Sequence, residues 1–210
     1  MDAPAATDDD TVPTPGYRRS QGSPRGEARR RDLLARVTED VQVNGLADFS
    51  LRRAARAAGT THKVLLYHFD GIEDLTGQAL LRLRSRRIAN ALSTAAQGHE
   101  TLADRVRAIW PVLADDETGL RVIDQSIGLA MYDPEHYRHL ARDAADQYIA
   151  PLESLCPPEW SAQRKREVAE LMLATLRGFL VEWRTNHEMD RIEAGLAALL
   201  RALEREESAG

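Results

Sequence analysis

Residues 49–69 run Phe-Ser-Leu-Arg-Arg-Ala-Ala-Arg-Ala-Ala-Gly-Thr-Thr-His-Lys-Val-Leu-Leu-Tyr-His-Phe, two short helical patterns divided by one glycine. Ser50 is placed to cap the first, its hydroxyl accepting from a free amide of the opening turn. Leu51, Ala54, Ala55 and Ala58 then recur at i, i+3, i+4 and i+7, an apolar helical face, and Arg52, Arg53 and Arg56 fall on the other side. Gly59 follows the last periodic residue, where a left-handed conformation costs glycine little. Thr60 or Thr61 is placed to cap the second helix. Leu65 and Phe69, four apart, share a face and are expected in the core. That leaves Thr61, His62, Lys63, Val64, Tyr67 and His68 to point elsewhere, and the alanine-rich turns let the two helices approach closely.

An ordinary helical hairpin inside a bundle reads much the same. Two features favour a helix-turn-helix that enters a DNA major groove. The outer side of the second helix mixes donors, rings and the methyls of Val64, which suit phosphates, base edges and thymine methyls. The surroundings are also basic: residues 17–87 hold fifteen Lys/Arg against eight Asp/Glu, although the whole chain is at −5. Residues 1–16 carry four acids and no base, and residues 88–210 carry twenty-one acids against thirteen bases. Such a division sets a part that faces nucleic acid against parts that stay off it.

Residues 29–81 resemble the N-terminal DNA-binding domain of TetR-type transcriptional regulators. The motif residues are Ala58-Gly59-Thr60-Thr61-His62-Lys63-Val64-Leu65-Leu66-Tyr67-His68-Phe69, followed by Glu73-Asp74-Leu75. The pattern departs from the family's at two places. Leu66 stands where a tyrosine is usual, with Tyr67 one residue later, and Ile72 stands where a phosphate-contacting lysine is common. The resemblance implies an all-α protein with an N-terminal three-helix DNA-binding domain and a C-terminal helical domain for ligand binding and dimerisation. The expected divisions are a disordered arm at 1–24, the DNA-binding domain at 25–71 and the ligand and dimer domain at 72–210.

The rest of the chain fits an all-helical reading. Residues 1–24 are rich in Pro, Asp, Thr, Ala and Ser without apolar periodicity, the composition of a disordered arm. Its arginines either reach phosphates or a minor groove, as basic arms do, or merely keep the tail soluble. Leu33, Leu34, Val37 and Val41 predict a first helix over 27–44. Leu75, Ala79, Leu83 and Leu92 predict a long fourth helix over 72–97, capped by Asp70. Further helices are expected at 102–114, 118–131, 133–155, 161–185 and 190–206, with Pro151 breaking or kinking the third of them, the one opened by Asp133-Pro134. Leu171, Leu173, Ala174, Gly178 and Val181, with Ile192, Leu196, Leu199, Leu200 and Leu203, supply more apolar surface than two terminal helices need, so these two are the expected dimer surface.

Little here suggests catalysis. His136 and His139 lie three apart near Asp133 and Asp143, but no further His or Cys joins them, and a solvated face is the simpler reading. Gly-rich phosphate loops, Gly-x-Ser-x-Gly elbows and His-Glu-x-x-His are absent. No enzyme activity, cofactor or metal is therefore expected. The single cysteine, Cys156, excludes an internal disulfide and reads as a packing residue. Without a signal peptide or an apolar run of membrane length, the expected location is the cytoplasm, with no membrane partner.

The resemblance implies a ligand pocket in the C-terminal domain. Trp110, Ile127, Met131, Tyr132, Tyr148, Leu176, Phe179 and Trp183 are large side chains on helices that surround that pocket in the family, with Arg177 a possible anchor for an anion. For any one of them a place in the core is the competing reading. The combined expectation is a homodimeric regulator, usually a repressor, that binds a palindromic operator in double-stranded DNA. Its contacts would come from Ser50, Arg52, Arg53, Thr61, His62, Lys63, Val64, Tyr67 and His68. A small hydrophobic ligand would release it by tilting the fourth helix. The competing expectation is a helical interaction or ligand-sequestering protein in which the helix-turn-helix survives only as packing.

Overall fold

The computed structural model describes residues 23–115 and 117–209. The arm's first 22 residues lie outside that range, whereas Ser23 and Pro24, expected at its end, open a helix. Ser23 Oγ accepts from the Gly26 amide at 3.1 Å and Pro24 takes the first helical position, where its missing N–H costs nothing. The described residues form ten helices and no strand. They are α1 (Pro24–Asn44), α2 (Leu51–Ala57), α3 (His62–His68), α4 (Ile72–Ala95), α5 (Leu102–Asp115), α6 (Glu117–Tyr132), α7 (Pro134–Ala141), α8 (Asp146–Glu153), α9 (Ala162–Asn186) and α10 (Met189–Ser208).

The α2–α3 turn closes as its sequence implies. Gly59 has φ +61°, its amide donates to the Arg56 carbonyl at 3.1 Å, and the Thr60 amide donates to the Ala55 carbonyl at 2.9 Å. These two bonds satisfy the free carbonyls at the end of α2. A Cβ on Gly59 would have no neighbour nearer than 3.8 Å, so the constraint is backbone conformation and not space. Gly59→Ala is therefore expected to destabilise the protein by about 1–2 kcal/mol, read as a lower urea midpoint with an unchanged slope.

Two cores share α4. In the first, Leu33, Val37 and Val41 of α1 meet Ala54, Ala55 and Ala58 after them, Leu65 and Phe69 around α3, and Leu75, Leu80 and Leu83 of α4. Val122 of α6 and Leu140 of α7 complete it, so the three-helix head borrows its last wall from the C-terminal half. The second core holds Ala91 and Ala95 of α4 among Val106, Ile109 and Trp110 of α5, Met172 and Leu176 of α9, and Leu196, Leu199, Leu200 and Leu203 of α10. Each such leucine contributes roughly 1.5–3 kcal/mol by leaving water.

Three expectations are corrected. α4 is not capped by Asp70: its N-cap is Gly71, φ +120°, without a side-chain cap, and the Asp70 amide instead donates to the Asp74 carboxylate at 3.0 Å. The helix opened by Asp133 breaks at 142–145, where tight turns such as Ala144 N–H to Ala141 O form, while Pro151 sits inside α8. The leucines of α10 do not form a free surface, since Ile192, Leu196, Leu199, Leu200 and Leu203 are all buried within the subunit. Helical periodicity shows which face is apolar but not what covers it.

Candidate functional site

α3 stands outward from the head because only Leu65 within it, and Phe69 just after it, are sealed in the first core. Thr61, His62, Lys63 and Leu66 are exposed, and Val64, Tyr67 and His68 are half-buried. Thr61 is the cap, accepting from the Val64 amide at 3.4 Å, and Ser50 caps α2 by accepting from the Arg53 amide at 3.3 Å. Tyr67 is half-buried and packs edge-on against the His68 ring at 4.9 Å between centroids. Leu66 beside it is 49% exposed.

Arg52 is exposed, but Arg53 departs from the expectation that it positions DNA. Its Nε pairs with the Asp40 carboxylate at 2.8 Å, and Nη1 and Nη2 donate to the Ala47 and Gly45 carbonyls, each at 2.8 Å. All three nitrogens fasten α2 to the end of α1. Arg30 does the same for α3. It donates to the His68 carbonyl at 3.1 Å and to Gln78 at 2.7 Å, with its guanidinium 4.9 Å from the Phe69 ring centre.

Burial, with Arg30 and then Arg29 nearby, holds His68 below the ordinary histidine value, and its Nδ1 is sealed without a hydrogen-bond partner. A neutral His68 in the folded state means that the unfolded chain binds the extra proton first. Its stabilising contribution is thus complete above pH 6.5 and is lost as pH falls toward the depressed folded value. His68→Gln should flatten the acid side of a melting-temperature profile over that window.

The C-terminal half forms a partly open cavity of about 90 Å³ between α4, α5, α6, α8 and α9. Leu92, Ile109, Leu113, Leu120, Ile123, Ile127, Leu152, Leu173, Leu176 and Leu180 make its walls, and Arg87, Asp124, Tyr148 and Arg177 are its polar lining. Of the expected pocket residues, Ile127, Tyr148, Leu176 and Arg177 line it. Trp110, Phe179 and Trp183 do not: they pack in or against the second core, with the Trp110 and Phe179 rings edge-on at 6.0 Å. Met131 and Tyr132 are at the surface, 79% and 89% exposed at the end of α6. Arg87 and Asp124 were legible only indirectly. Arg84 and Arg87 fall on the Leu80–Ala91–Ala95 face of α4, and a charge inside an apolar stripe is the signal that marks them.

Asp124 pairs with Arg184 at 2.9 Å, and burial pushes its carboxyl above the usual carboxylate value against the pull of Arg184, Arg87 and Arg177. Burial likewise raises the Tyr148 hydroxyl, opposed by Arg87, which is hydrogen-bonded to it, and by Arg84 and Arg177. α6 lies between cavity and head. Leu120, Ile123, Asp124 and Ile127 face the cavity. On its other side Gln125 Oε1 accepts from the Leu46 amide at 2.7 Å, and Arg121 donates to the Val43 carbonyl at 2.9 Å.

On α9, Leu171, Ala174, Gly178 and Val181 are exposed and form one stripe at i, i+3, i+7 and i+10. Ala194 and Ala198 of α10 are exposed as well. Cys156 is buried, and burial pushes its thiol to about 11, which leaves little thiolate at neutral pH. Among the described residues no helix is long and apolar enough to cross a membrane.

No family model matches the chain, and no curated protein matches it by sequence. Solved structures do share its fold. SCO7518 of Streptomyces coelicolor A3(2), assigned as a transcriptional regulator, superposes with a TM-score of 0.65 at 23% identity, over 83% of this chain and 98% of its own. A TetR-family transcriptional regulator from Cytophaga hutchinsonii gives 0.63 at 15% identity, over 87% and 96%. The multidrug-binding protein EbrR complexed with proflavin gives 0.59 at 22% identity, over 82% and 98%. The all-α architecture, a helix-turn-helix head on a helical C-terminal domain, is therefore that of TetR-type regulators.

Proposed function

We propose that this chain is a TetR-type transcriptional regulator, acting as a repressor, that grips a palindromic DNA operator as a homodimer and lets go when a small molecule enters the C-terminal cavity. The observation that carries the reading is the outward side of α3, where Thr61, His62 and Lys63 are exposed after the Gly59 turn while Leu65 and Phe69 are sealed in the first core. The contact set is Ser50, Arg52, Thr61, His62, Lys63, Val64 and Tyr67, with Leu66 added as an apolar contact for a thymine methyl. Arg53 and His68 serve the head's packing. In a two-fold dimer the two α3 helices meet successive major-groove turns about 34 Å apart, so the operator is a palindrome.

Support for release by a ligand comes from α6, which lines the cavity on one side and holds the end of α1 on the other. A ligand that shifts α6 or α4 changes how the heads sit. It releases DNA only to the extent that it binds the released arrangement better. Selection from random duplexes should return a palindrome with half-sites one helical turn apart, and binding should weaken steeply with salt because neutralised phosphates release counterions. Failure to enrich any palindrome would reject the reading.

One observation favours a helical interaction protein that no longer reads DNA: exposed Leu66 and uncharged Ile72 stand where phosphate contacts are common in the family. Under that reading substitution of Lys63 and Tyr67 changes nothing functional.

A further inference from the structure

The cavity's walls are aliphatic, yet its polar lining is not balanced in charge. Arg87 and Arg177 line it against one carboxylate, Asp124. That carboxylate is already held by Arg184 at 2.9 Å. Arg84 lies just behind, buried, donating to the Leu140 carbonyl at 2.8 Å and to Ser126 at 3.2 Å. Arg177 lies seven residues before Arg184 on the same face of α9, and Arg184 reaches Asp124, so the charged groups gather on the α6–α9 side of the cavity and do not scatter over the walls. A cation entering there meets more guanidinium than carboxylate. A neutral polar head gains only ordinary hydrogen bonds. An anionic head gains charge-assisted ones in a site largely removed from water, where such bonds are strongest. Arginine's planar fork suits a carboxylate's two oxygens.

We infer that the cavity takes an amphipathic carboxylate, its hydrocarbon body among Leu92, Ile123, Leu152 and Leu176 and its head against Arg177 and Arg87. The inference deepens the reading of this cavity as the effector site and rests on it. Decanoate, decanol and decyltrimethylammonium share one chain and differ in head charge, so calorimetric titration of the full chain at pH 8 isolates the head. Decanoate should bind at least about tenfold tighter than decanol, the effect of one charge-assisted bond, and the cation should bind weakest. Arg177→Met keeps the half-buried stem and removes the charge. It should bring decanoate down to the level of decanol and leave decanol unchanged. The wild-type ranking stands as the test even where that variant folds poorly. Equal binding of the three, preference for the cation, binding of none, or a decanoate preference indifferent to Arg177→Met each overturns the inference. Duplex binding measured alongside separates the two ideas. A chain that selects a palindrome but shows no preference for the anionic head loses this inference and keeps its proposed function. A chain that takes decanoate but enriches no palindrome loses the latter.

Discussion

Gly178→Arg is expected to leave the subunit folded and to split the particle. Gly178 is exposed in the middle of α9, and a Cβ built there meets nothing within 4 Å in its own subunit. In a monomer the substitution is harmless, and replacing a mid-helix glycine even favours the helix. In a two-fold dimer the same patch lies on both sides of the interface. Each new side chain then wedges between helices that the small residues Ala174 and Gly178 would allow to pack closely, with a like charge facing it. Leu171 and Val181, 46% and 49% exposed on the same stripe, would lose their cover. Dimer dissociation measured by sedimentation equilibrium should rise by at least about a hundredfold, near 2.8 kcal/mol. Operator affinity should fall in parallel, because one head no longer holds the other at high effective concentration. An unchanged far-UV spectrum and melting temperature at low concentration would show that folding is intact. A wild-type chain that is monomeric at high concentration, or a Gly178→Arg variant as dimeric as the parent, would refute the two-fold arrangement.

Lys63→Ala should weaken operator binding on the order of fiftyfold at 0.1 M salt, since each of two heads loses one neutralised phosphate and its released counterion. The loss should be nearly uniform across operator sequences, and the slope of log affinity against log salt should become shallower by about 2. Stability should stay within about 0.5 kcal/mol, because Lys63 is exposed at the surface. Arg53→Ala gives the opposite signature. It removes an ion pair to Asp40 at 2.8 Å and two carbonyl bonds at the α1–α2 junction, so stability should drop by about 2 kcal/mol while the salt slope changes little. If Lys63→Ala leaves the slope alone, α3 is not the DNA-facing helix.

The two arginines show where a linear reading stops. Arg52 and Arg53 are adjacent on the polar side of one short helix, and periodicity treats them alike. Only the packed chain brings Asp40 of α1 beside Arg53 and leaves Arg52 in solvent. The aromatic candidates failed for a similar reason. Size suggested that Trp110, Phe179 and Trp183 surround a pocket, whereas Phe179 lies on Gly195, where a Cβ would come within 2.6 Å of its ring. That close approach of α9 and α10 consumes the aromatic surface in packing and leaves the cavity to aliphatic residues.

Local chemistry alone determined the helix-turn-helix. Ser50 and Thr61 cap and Gly59 supplies the positive φ through interactions spanning five residues or fewer, and the four-residue spacing of Leu65 and Phe69 marks the face they share. Such short-range preferences do not depend on the rest of the fold. The tertiary structure decided what covers each apolar face: α10 turned its leucines into the subunit, α9 left its small-residue stripe bare, and α4 carried Arg87 to the cavity. Burial of a face depends on partners distant in the chain, and periodicity carries no record of which partner arrives.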